Sequence, residues 1–400
     1  MSSPSSRPLV GVRFPVWCAF GHPVLEGVVD QMRESGQWKL VTENSFFGEM
    51  RARRIDGDWK GDGLILFRAT DEELANYRRR GTAVVLTSTE GPDHGYPRVV
   101  TDNAAIGRLA ADHLIDCAFS NFAFFGRGEA LHRDPQHAPG MRVYSRERLG
   151  GFLSRLADFH LEPIVHYLKG RPLWKSGTWR AVQREAMEFL AGLPKPCGLF
   201  VVDDSLAAVT LQAAEALGLR VPDDVAVIGF GDDPAQCFTT SPTLTSIRYP
   251  GREVGRLAAD LLARQMAGEV LAETRHVVPV HDLVARDSTD TLAIPDPDIR
   301  EIVRRIRLLA PHDSLRVSEL CEQSSLSPTT IKVRFAALLG RSPKQEIKRV
   351  RLQHLSHLLR STELPLADIV REMKFESLNE LSRFFHRETG LRPSALRRSM

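Results

Sequence analysis

The last hundred residues of this chain restrict its fold most, because two helix-turn-helix patterns follow one another there. In the second pattern, residues 365–390, a one-sided apolar stripe predicts a two-turn helix, formed by Leu366, Ile369, Val370 and Met373. After a break, Ser377 is the expected N-cap of the next helix, with Glu380 as its capping-box partner. Gly390 is expected to end that helix. Its inner side is expected to consist of Leu378, Leu381, Phe384 and Phe385.

The first pattern, residues 314–340, repeats this design. Ser327 and Pro328 predict the start of its second helix, because proline at the first helical position loses no hydrogen bond, and Gly340 ends it. The inner face is expected to hold Ile331, Phe335, Leu338 and Leu339. A short, capped helix with a polar outer face suits insertion into a major groove of DNA. We expect contacts to double-stranded DNA from Ser327, Thr329, Thr330, Lys332 and Arg334, and from Ser377, Asn379, Glu380, Ser382, Arg383 and Arg387.

Residues 300–400 resemble the AraC/XylS class of transcription regulators, whose DNA-binding domain carries two such units joined by a helix. The matching residues include Ile331, Arg334, Phe335, Gly340, Ser342, Pro343, Arg351, Leu358, Leu359, Ile369, Phe375, Leu381, Ser382, Arg383, Phe385, Gly390 and Pro393. Lys374 stands where that family usually has glycine. Because glycine readily adopts a positive φ, Lys374 predicts either a strained turn or a different turn geometry.

The spacing of the two patterns predicts how DNA is read. The caps Ser327 and Ser377 lie 50 residues apart, and an intervening helix over residues 345–359 spans about 22 Å. With the width of the flanking units, the two recognition helices reach a separation of about 34 Å, one turn of DNA. They are therefore expected in successive major grooves, where Asn379 suits adenine and Arg383 suits guanine or phosphate.

Charge divides the chain in the same place. From Pro295 onward there are 20 Lys and Arg against 13 Asp and Glu, and the preceding residues hold 33 against 37, so the net charges are +7 and −4. A basic domain on an acidic body fits phosphate contact by the C-terminal part alone. A solvated basic face is the alternative.

Composition indicates a chain of more than one domain and excludes several functions. Four hundred residues exceed a single core, and no run of 18 apolar residues predicts a membrane span. The start lacks the apolar region of a secretory signal, so the protein is expected in the cytoplasm. Five widely spaced cysteines without a C-x-x-C pair predict neither a disulfide framework nor a metal site. No phosphate-binding loop or nucleophile elbow is present, so we expect no cofactor and no enzyme.

Residues 8–285 alternate short apolar runs with amphipathic stretches, which predicts a parallel α/β fold. The expected strands are residues 9–14, 63–67, 83–87, 122–125, 163–167, 199–202 and 225–230. The expected helices lie near residues 23–35, 71–80, 104–116, 146–160, 179–191, 204–217 and 250–267. Gly126-Arg127-Gly128 after a strand is read as a turn, with a phosphate loop as the less favoured alternative.

Three segments of this body resemble the LacI-type, periplasmic-binding-protein-like ligand domain, in which two α/β lobes close on a ligand. They are residues 99–114, residues 199–230 with their Val221-Pro222 pair, and residues 241–258. A LacI-like body followed by an AraC-type reader resembles XylR-type regulators of xylose operons, and residues 56–63 and 275–280 support that likeness. The chain therefore divides into a sensor at 8–285, a linker at 286–298 and an all-α DNA-binding domain at 299–400.

The resemblance implies ligand-binding residues at the carboxyl ends of the strands. Arg148 matches a sugar-clamping arginine, and three acidic positions match polar pocket residues: Asp102, Asp203, and Asp232 or Asp233. Asp102 could instead be the N-cap of a helix over 103–116, and Asp203 or Asp204 could cap a helix over 205–217. Arg148 could instead pair with Glu147 or Asp158 on the surface. Relatives commonly have an acidic residue at the position of Gly231.

The first strand-to-helix loop is also expected at the cleft. Trp17 and Phe20 could stack on a sugar ring or pack in the core, and His22 could bond hydroxyls. His22 stands where some relatives have arginine.

The function expected from these likenesses is a sugar-responsive transcription activator. The implied partners are promoter DNA, D-xylose, RNA polymerase and a second copy of the chain. A regulator that answers a different sugar or small polar ligand is the alternative. A sugar-binding transport protein and an enzyme with a DNA-binding tail are less favoured.

Overall fold

The computed structural model describes residues 7–14, 20–35, 38–43, 55–128, 142–168, 178–290, 294, 296–313, 315–322, 324, 326–362 and 364–398. Trp17 lies outside these residues. The chain forms two compact units, one of Met1–Asp116 with Ser120–Thr291 and one of Cys117–Phe119 with Leu292–Met400. Within the described ranges, no helix is both long and apolar enough to cross a membrane.

The first lobe of the larger unit is a six-stranded parallel sheet with helices on its faces. Its elements are β1 (Leu9–Arg13), α1 (Gly21–Ser35), β2 (Lys39–Thr42), β3 (Gly63–Leu66), α2 (Asp71–Arg80), β4 (Ala83–Leu86), β5 (Arg98–Thr101), α8 (Gly251–Met266) and β11 (Arg275–Val278). The strand order is β11-β5-β4-β3-β1-β2, and every neighbouring pair is parallel. The strands β3 and β4 are buried along their whole length, as expected for a parallel sheet covered on both faces.

The second lobe has the same architecture. Its elements are α3 (Asn103–Asp116), β6 (Asn121–Arg127), α4 (Val143–Ala157), β7 (Pro163–Leu168), α5 (Thr178–Ala191), β8 (Cys197–Val201), α6 (Asp204–Ala216), β9 (Val225–Gly231), α7 (Pro234–Cys237), β10 (Thr245–Arg248) and β12 (Leu283–Val284). The order is β12-β10-β9-β8-β6-β7, with β12 antiparallel to β10. The chain passes between the lobes three times, after β5, after β10 and after β11, so the lobes share three connections.

The helices α3 and α4 cross so closely that only glycine fits at the crossing. A Cβ atom on Gly107 would lie 2.0 Å from the carbonyl oxygen of Arg148, and one on Gly151 would lie 1.9 Å from that of Ala104. Distances of this kind are sterically forbidden, so the two glycines permit backbone contact between the helices. The crossing fixes the position of α4 in the second lobe.

The smaller unit is helical in its described residues and has two cores that share one long helix. Its helices are α9 (Pro297–Leu309), α10 (Val317–Glu322), α11 (Pro328–Leu339), α12 (Pro343–Ser361), α13 (Leu366–Glu372), α14 (Leu378–Thr389) and α15 (Pro393–Arg398). The first core contains Ile302, Val303, Ile306, Leu320, Ile331, Phe335, Ile347 and Val350. The second contains Leu355, Leu358, Leu359, Ile369, Met373, Leu381, Phe384 and Phe385. Because α12 contributes to both, it joins two helix-turn-helix units.

Three details of the predicted units are wrong. Leu338 is 39% exposed because it lies at the margin of the stripe that Ile331, Phe335 and Leu339 define. Leu378 is 46% exposed because it is the first residue of α14 and lies beyond the core.

The capping box is the third such detail. The Ser377 hydroxyl accepts from the Glu380 amide over 3.2 Å, as expected of an N-cap. The Glu380 carboxylate, however, accepts from the amide of Glu376 over 2.7 Å and not from that of Ser377. The amide of Glu376, in the turn before the helix, therefore makes the hydrogen bond that a capping box would give to the amide of Ser377.

The segment between the two units begins as part of the larger unit. Asp287–Thr289 form a 3-10 helix, and the Ser288 hydroxyl donates to the carbonyl of Val227 in β9 over 2.6 Å. Helix α9 begins at Pro297, with the Asp296 carboxylate as its N-cap. The linker expected over 286–298 thus includes the 3-10 helix and the first residues of α9.

Candidate functional site

Aromatic side chains from both lobes meet where the strands end. Phe20 follows β1 in the first lobe, and its ring lies 6.0 Å from that of Phe230 in β9 of the second lobe. The ring of Tyr249, directly after β10, contacts Phe20 edge-on at 4.9 Å. The predicted position of Phe20 at the cleft is consistent with these contacts. Phe230 and Tyr249 belong to the same cluster and were missed as site residues.

Arg148 is buried beneath this cluster and is not a surface residue. Its Nε donates to Asn103 Oδ1 over 3.0 Å, and its Nη1 donates to the carbonyl of Val202 over 2.5 Å. The guanidinium carbon lies 3.9 Å from the centre of the Phe230 ring, within cation–π range. Burial lowers the pKa of Arg148 to about 10. The alternative of a surface pair with Glu147 or Asp158 is wrong, because Asp158 pairs with Arg155 instead.

Asn103 connects Arg148 to a second polar group. Its Nδ2 donates to Glu147 Oε2 over 2.8 Å, while Glu147 Oε1 accepts from Arg275 Nη2 over 3.0 Å. Asn103 is only 2% exposed, so its amide can be satisfied only by such partners. These bonds fix the orientation of the Arg148 fork.

Asp203 is a helix N-cap and an ion-pair partner. Its Oδ1 accepts from the amide of Leu206 over 2.9 Å and from Arg127 Nη2 over 2.9 Å. Burial alone would raise the pKa of Asp203, but the Arg127 guanidinium and the bonds from Ser205 and Leu206 hold it well below its usual range. Arg127 lies at the end of β6, in the stretch read as a turn, and its pairing role was missed.

The acidic pair after β9 separates into two roles. Asp232 has a positive φ of 54°, and its carboxylate accepts from Arg286 Nη2 over 2.5 Å and from Arg248 Nε over 2.9 Å. Asp233 accepts from the amide of Ala235 over 3.0 Å and caps α7. Both carboxylates therefore have partners within the sensor.

A third carboxylate, Asp204, lies beside this pair. The sequence offered it only as an alternative helix cap, and Asp203 is the N-cap instead. It is 3% exposed and accepts from the Ser246 hydroxyl over 2.7 Å and from the Asp233 amide over 2.9 Å. Burial raises the pKa of Asp204 to about 6. Its bonds join β10 to the loop after β9.

The two remaining described candidates lie at helix starts. Asp102 accepts from the amide of Ala105 over 2.8 Å, so it caps α3, and its other oxygen lies 3.6 Å from Arg108 Nη2. The N-cap alternative for Asp102 is therefore correct. His22 is exposed in the first turn of α1.

A carboxylate also bridges the two lobes. Glu90, which follows β4, accepts from Arg68 Nη2 over 2.8 Å and from Arg142 Nη1 over 3.0 Å. Arg142 immediately precedes α4 in the second lobe, whereas Arg68 and Glu90 belong to the first. The lobes thus contact each other through charge as well as through aromatic rings.

The recognition helices of the smaller unit present their predicted polar residues outward. Thr329, Lys332, Arg334, Asn379, Arg383 and Arg387 are all exposed. Ser327 and Ser377 accept from the amides of Thr330 and Glu380 and begin α11 and α14. Among the predicted residues, Arg334 also donates to the Asp296 carboxylate over 3.0 Å, so it is tied to the start of α9.

A groove of about 630 Å³ runs along one side of α14. Its lining residues are Leu366, Asn379, Ser382, Arg383, His386, Arg392, Pro393 and Ser394. Three of the predicted DNA-binding residues therefore share one concave surface, and His386 and Arg392 extend it. The positive charges there suit a phosphate backbone.

A two-lobed α/β body and a domain of two helix-turn-helix units define a DNA-binding transcription regulator with a sensor domain. Two families match accordingly. The family described as periplasmic binding protein-like domain matches residues 111–289, and the family described as helix-turn-helix domain matches residues 320–399.

Similar proteins agree with this class. The HTH-type transcriptional repressor PurR of Edwardsiella ictaluri is 30% identical over 62% of this chain and 67% of its own. The Xylose operon regulatory protein of Escherichia coli (strain K12) is 27% identical over 95% of this chain and 94% of its own. The chain belongs to the helix-turn-helix transcription regulators that have a periplasmic-binding-protein-like domain. A solved structure of the xylose-binding transcription activator xylR shares the fold, with a TM-score of 0.59, 23% identity and 99% of each chain covered.

Proposed function

We propose that this chain is a xylose-responsive activator of pentose-utilisation genes. The observation that carries the proposal is the likeness to the Xylose operon regulatory protein of Escherichia coli over 95% of this chain, which includes the sensor and the reader in the same order. The structure of the xylose-binding activator xylR covers both parts as well. We propose D-xylose as the effector on the basis of this likeness.

The cleft chemistry supports a polyhydroxylated ligand. Two nitrogens of Arg148 are bonded inside the protein, and its Nη2 has no hydrogen bond to any described residue. A fixed guanidinium with an available donor suits a sugar hydroxyl, and the neighbouring rings of Phe20, Phe230 and Tyr249 suit the apolar face of a sugar. We therefore assign Arg148 and Phe20 to direct contact.

The carboxylates have a different role in this proposal. Both oxygens of Asp203 and both oxygens of Asp232 are bonded to arginine. Direct binding of a hydroxyl by either would weaken an ion pair that is mostly buried. We assign Asp203 and Asp232 to support of the cleft, and we retain Asp102, Asp233, His22 and Trp17 as candidates for contact.

The reader is proposed to contact two successive major grooves. Helix α12 has 19 residues, so it spans roughly 28 Å, which is longer than expected from the sequence. Residues of α11, including Thr329, Thr330 and Lys332, would enter one groove, and Asn379, Ser382 and Arg383 of α14 the next. Footprinting tests this geometry: protection by one copy confined to a single major groove would contradict it.

The remaining parts of the proposal follow from the class of protein. A DNA reader works where the chromosome is, so we propose a cytoplasmic protein that acts by recruiting RNA polymerase as a homodimer. No catalytic step is proposed, since the relatives are transcription regulators. Sedimentation of the full chain with and without DNA would reveal a dimer, and a monomer in both would contradict that part.

A thermal-shift screen identifies the effector. The full chain is heated with millimolar D-xylose, L-arabinose, D-ribose, D-glucose or D-galactose, and a specific ligand raises Tm because it binds only the folded state. D-xylose should give the largest rise. A larger rise with another sugar would replace xylose by that sugar and leave the regulator class intact. Mobility shift of promoter DNA, with and without the sugar that binds, then measures the coupling.

A further inference from the structure

Two histidines and a glutamate meet at the junction of the two helix-turn-helix units. His312 follows α9, His354 lies in α12 and Glu372 ends α13. The two imidazole rings are 5.0 Å apart and nearly perpendicular, and His354 Nε2 lies 3.7 Å from Glu372 Oε1. One ligand atom from each of the three residues lies within 4.8 Å of the other two. The residues are 42 and 18 positions apart in sequence, so no spacing motif marks the cluster.

The chemistry of this set matches one kind of metal ion. Neutral imidazole nitrogens and a carboxylate oxygen bind Zn²⁺ at about 2.0–2.2 Å, and a His₂Glu set with an open fourth position is an established zinc environment. Tetrahedral ligands at those bond lengths lie roughly 3.4 Å from one another. The separations in the structure reach at most 4.8 Å, so they exceed the ideal value by up to about 1.4 Å, which side-chain rotation can close.

The surroundings permit such a rotation. His312 is exposed, and the side chains of His354 and Glu372 are 22% and 37% exposed. Arg351, one turn before His354 on α12, is bonded to backbone carbonyls. Lys374 donates to the Asp313 carboxylate over 2.8 Å. These two nearby cations therefore have partners of their own outside the cluster.

We propose that His312, His354 and Glu372 bind a divalent transition-metal ion of the zinc type, with water in the fourth position. His312 is attached to the helix of the first core, Glu372 to a helix of the second, and His354 to the helix that both share. The ion would therefore cross-link the two helix-turn-helix units and restrict their relative motion. This inference concerns the reader alone and is independent of the effector.

Zinc and cobalt titrations of the full chain test the site. After EDTA treatment and dialysis, Zn²⁺ is titrated in competition with a chromophoric chelator, and Co²⁺ is followed by its visible absorption. The wild-type chain should bind one equivalent and should melt at a higher temperature with Zn²⁺ than without it. His354→Gln and Glu372→Gln should each weaken Zn²⁺ binding at least about tenfold, because each removes one of three ligands.

His386→Gln provides the matched control. His386 is an exposed histidine of the same unit that lies outside the cluster, so this variant should bind Zn²⁺ like the wild type. Far-UV circular dichroism of the metal-free variants shows whether each is folded, and Glu372→Gln alters an exposed side chain that can change without loss of core packing. Equal Zn²⁺ affinity of wild type and Glu372→Gln would overturn the proposal, and so would a wild-type chain that binds no Co²⁺. Mg²⁺ should have no effect on Tm, because it disfavours imidazole ligands.

Discussion

Arg351 donates a hydrogen bond from Nη2 to the backbone carbonyl of Met373 over 3.0 Å. Its Nη1 donates to the carbonyls of Ala310 and Asp313. Ala310 is the C-cap of α9 and Met373 the C-cap of α13, so one guanidinium from α12 satisfies the ends of two helices that belong to different cores of the smaller unit. The ring of Phe375 lies 4.5 Å from the guanidinium carbon, and burial lowers the pKa of Arg351.

Replacement of Arg351 by methionine should destabilise the reader and loosen its two halves. The variant leaves the carbonyls at two helix ends without their charged donor, a loss of about 2–4 kcal/mol of unfolding free energy. Urea unfolding of the full chain, followed in the transition of the C-terminal unit, measures this loss, and operator affinity should fall as well. Arg304→Met, at a 65% exposed position on α9, is the control and should change stability little. An Arg351→Met chain as stable as that control would show that the bonds contribute nothing.

The turn of the second unit carries strain that glycine should relieve. Lys374 has a φ of 49°, a left-handed conformation that costs a side chain about 1 kcal/mol and that glycine adopts freely. Lys374→Gly should therefore raise the stability of the reader by about 0.5–1 kcal/mol, less the value of the exposed pair with Asp313, which is at most about 1 kcal/mol.

Lys374→Ala separates these two effects, since it removes the pair and keeps the strain. Alanine should be the least stable of the three residues at this position, because it keeps the strain and lacks the pair, and glycine should exceed alanine by the strain of about 0.5–1 kcal/mol. Urea unfolding gives the free energy of unfolding of all three chains. A Lys374→Ala chain more stable than the Lys374→Gly chain would show that the turn carries no strain.

These turns show what a sequence can and cannot predict here. The strained alternative for Lys374 is confirmed because a chemically specific rule, the preference of positive φ for glycine, applies to one residue. Caps such as Ser327, Ser377 and Asp203 were predictable for the same reason. All seven expected strands are present, since each is a mostly apolar run. The strand β12 was missed because it has only two residues, and β2, β5, β10 and β11 were missed because each is a four-residue run that contains a charged residue.

The site was predictable only in part. Arg148 and Phe20 were placed at the cleft by resemblance, but the identity of their partners depends on long-range packing. Asn103, for example, is 45 residues from Arg148, and Arg127 is 76 residues from Asp203. No local sequence pattern encodes contacts over such distances. The sequence therefore could not predict that Asp203 and Asp232 form ion pairs with arginine, and only the fold shows it.

Loss of Arg148 should abolish sensing while the fold persists. Arg148→Ala leaves sugar hydroxyls unpaired in a closed cleft, so the affinity for the effector should fall by roughly 2–4 kcal/mol. Isothermal calorimetry with the sugar found in the thermal screen measures this change. Arg155→Ala is the matched control on the same helix, because Arg155 faces Asp112 and Asp158 at the surface. Unchanged affinity in the Arg148 variant would remove this residue from the pocket.

Arg383 should matter for the operator and not for the sugar. Arg383→Ala should weaken operator binding by about 1–3 kcal/mol and leave sugar binding intact. Fluorescence anisotropy of labelled operator DNA at fixed salt gives the affinity, with Arg304→Ala as the charge-matched control. If both variants lose the same affinity, the effect is one of net charge, and Arg383 has no particular place in the interface.

The ion pair of Arg127 with Asp203 should give the sensor a pH-dependent stability. Because the folded-state pKa of Asp203 lies below its unfolded value near 4, the pair stabilises the fold above that pH and ceases to do so as the pH falls through the folded pKa. Arg127→Met leaves a buried carboxylate unpaired and should cost about 3–5 kcal/mol at pH 7.

The stability of the Arg127→Met variant should differ less from that of the wild type in acid than at pH 7. Without Arg127, burial raises the pKa of Asp203, so acid neutralises the unpaired carboxylate and relieves the penalty. Urea unfolding should show that the difference in unfolding free energy between wild type and variant is smaller at mildly acid pH than at pH 7. A gap that is constant across this range would mean that Asp203 does not titrate there in either chain.

The glycine crossing of α3 and α4 bears on how such a sensor could be given a new effector. Since the backbones touch at Gly107 and Gly151, any side chain there would push α4 away and take Arg148 with it. A library aimed at altered specificity should therefore leave these two codons untouched and vary the loop that contains Trp17 and the segment that contains His22. In this scaffold the guanidinium is a fixed reference point, and a different sugar has to be accommodated by changing what surrounds it.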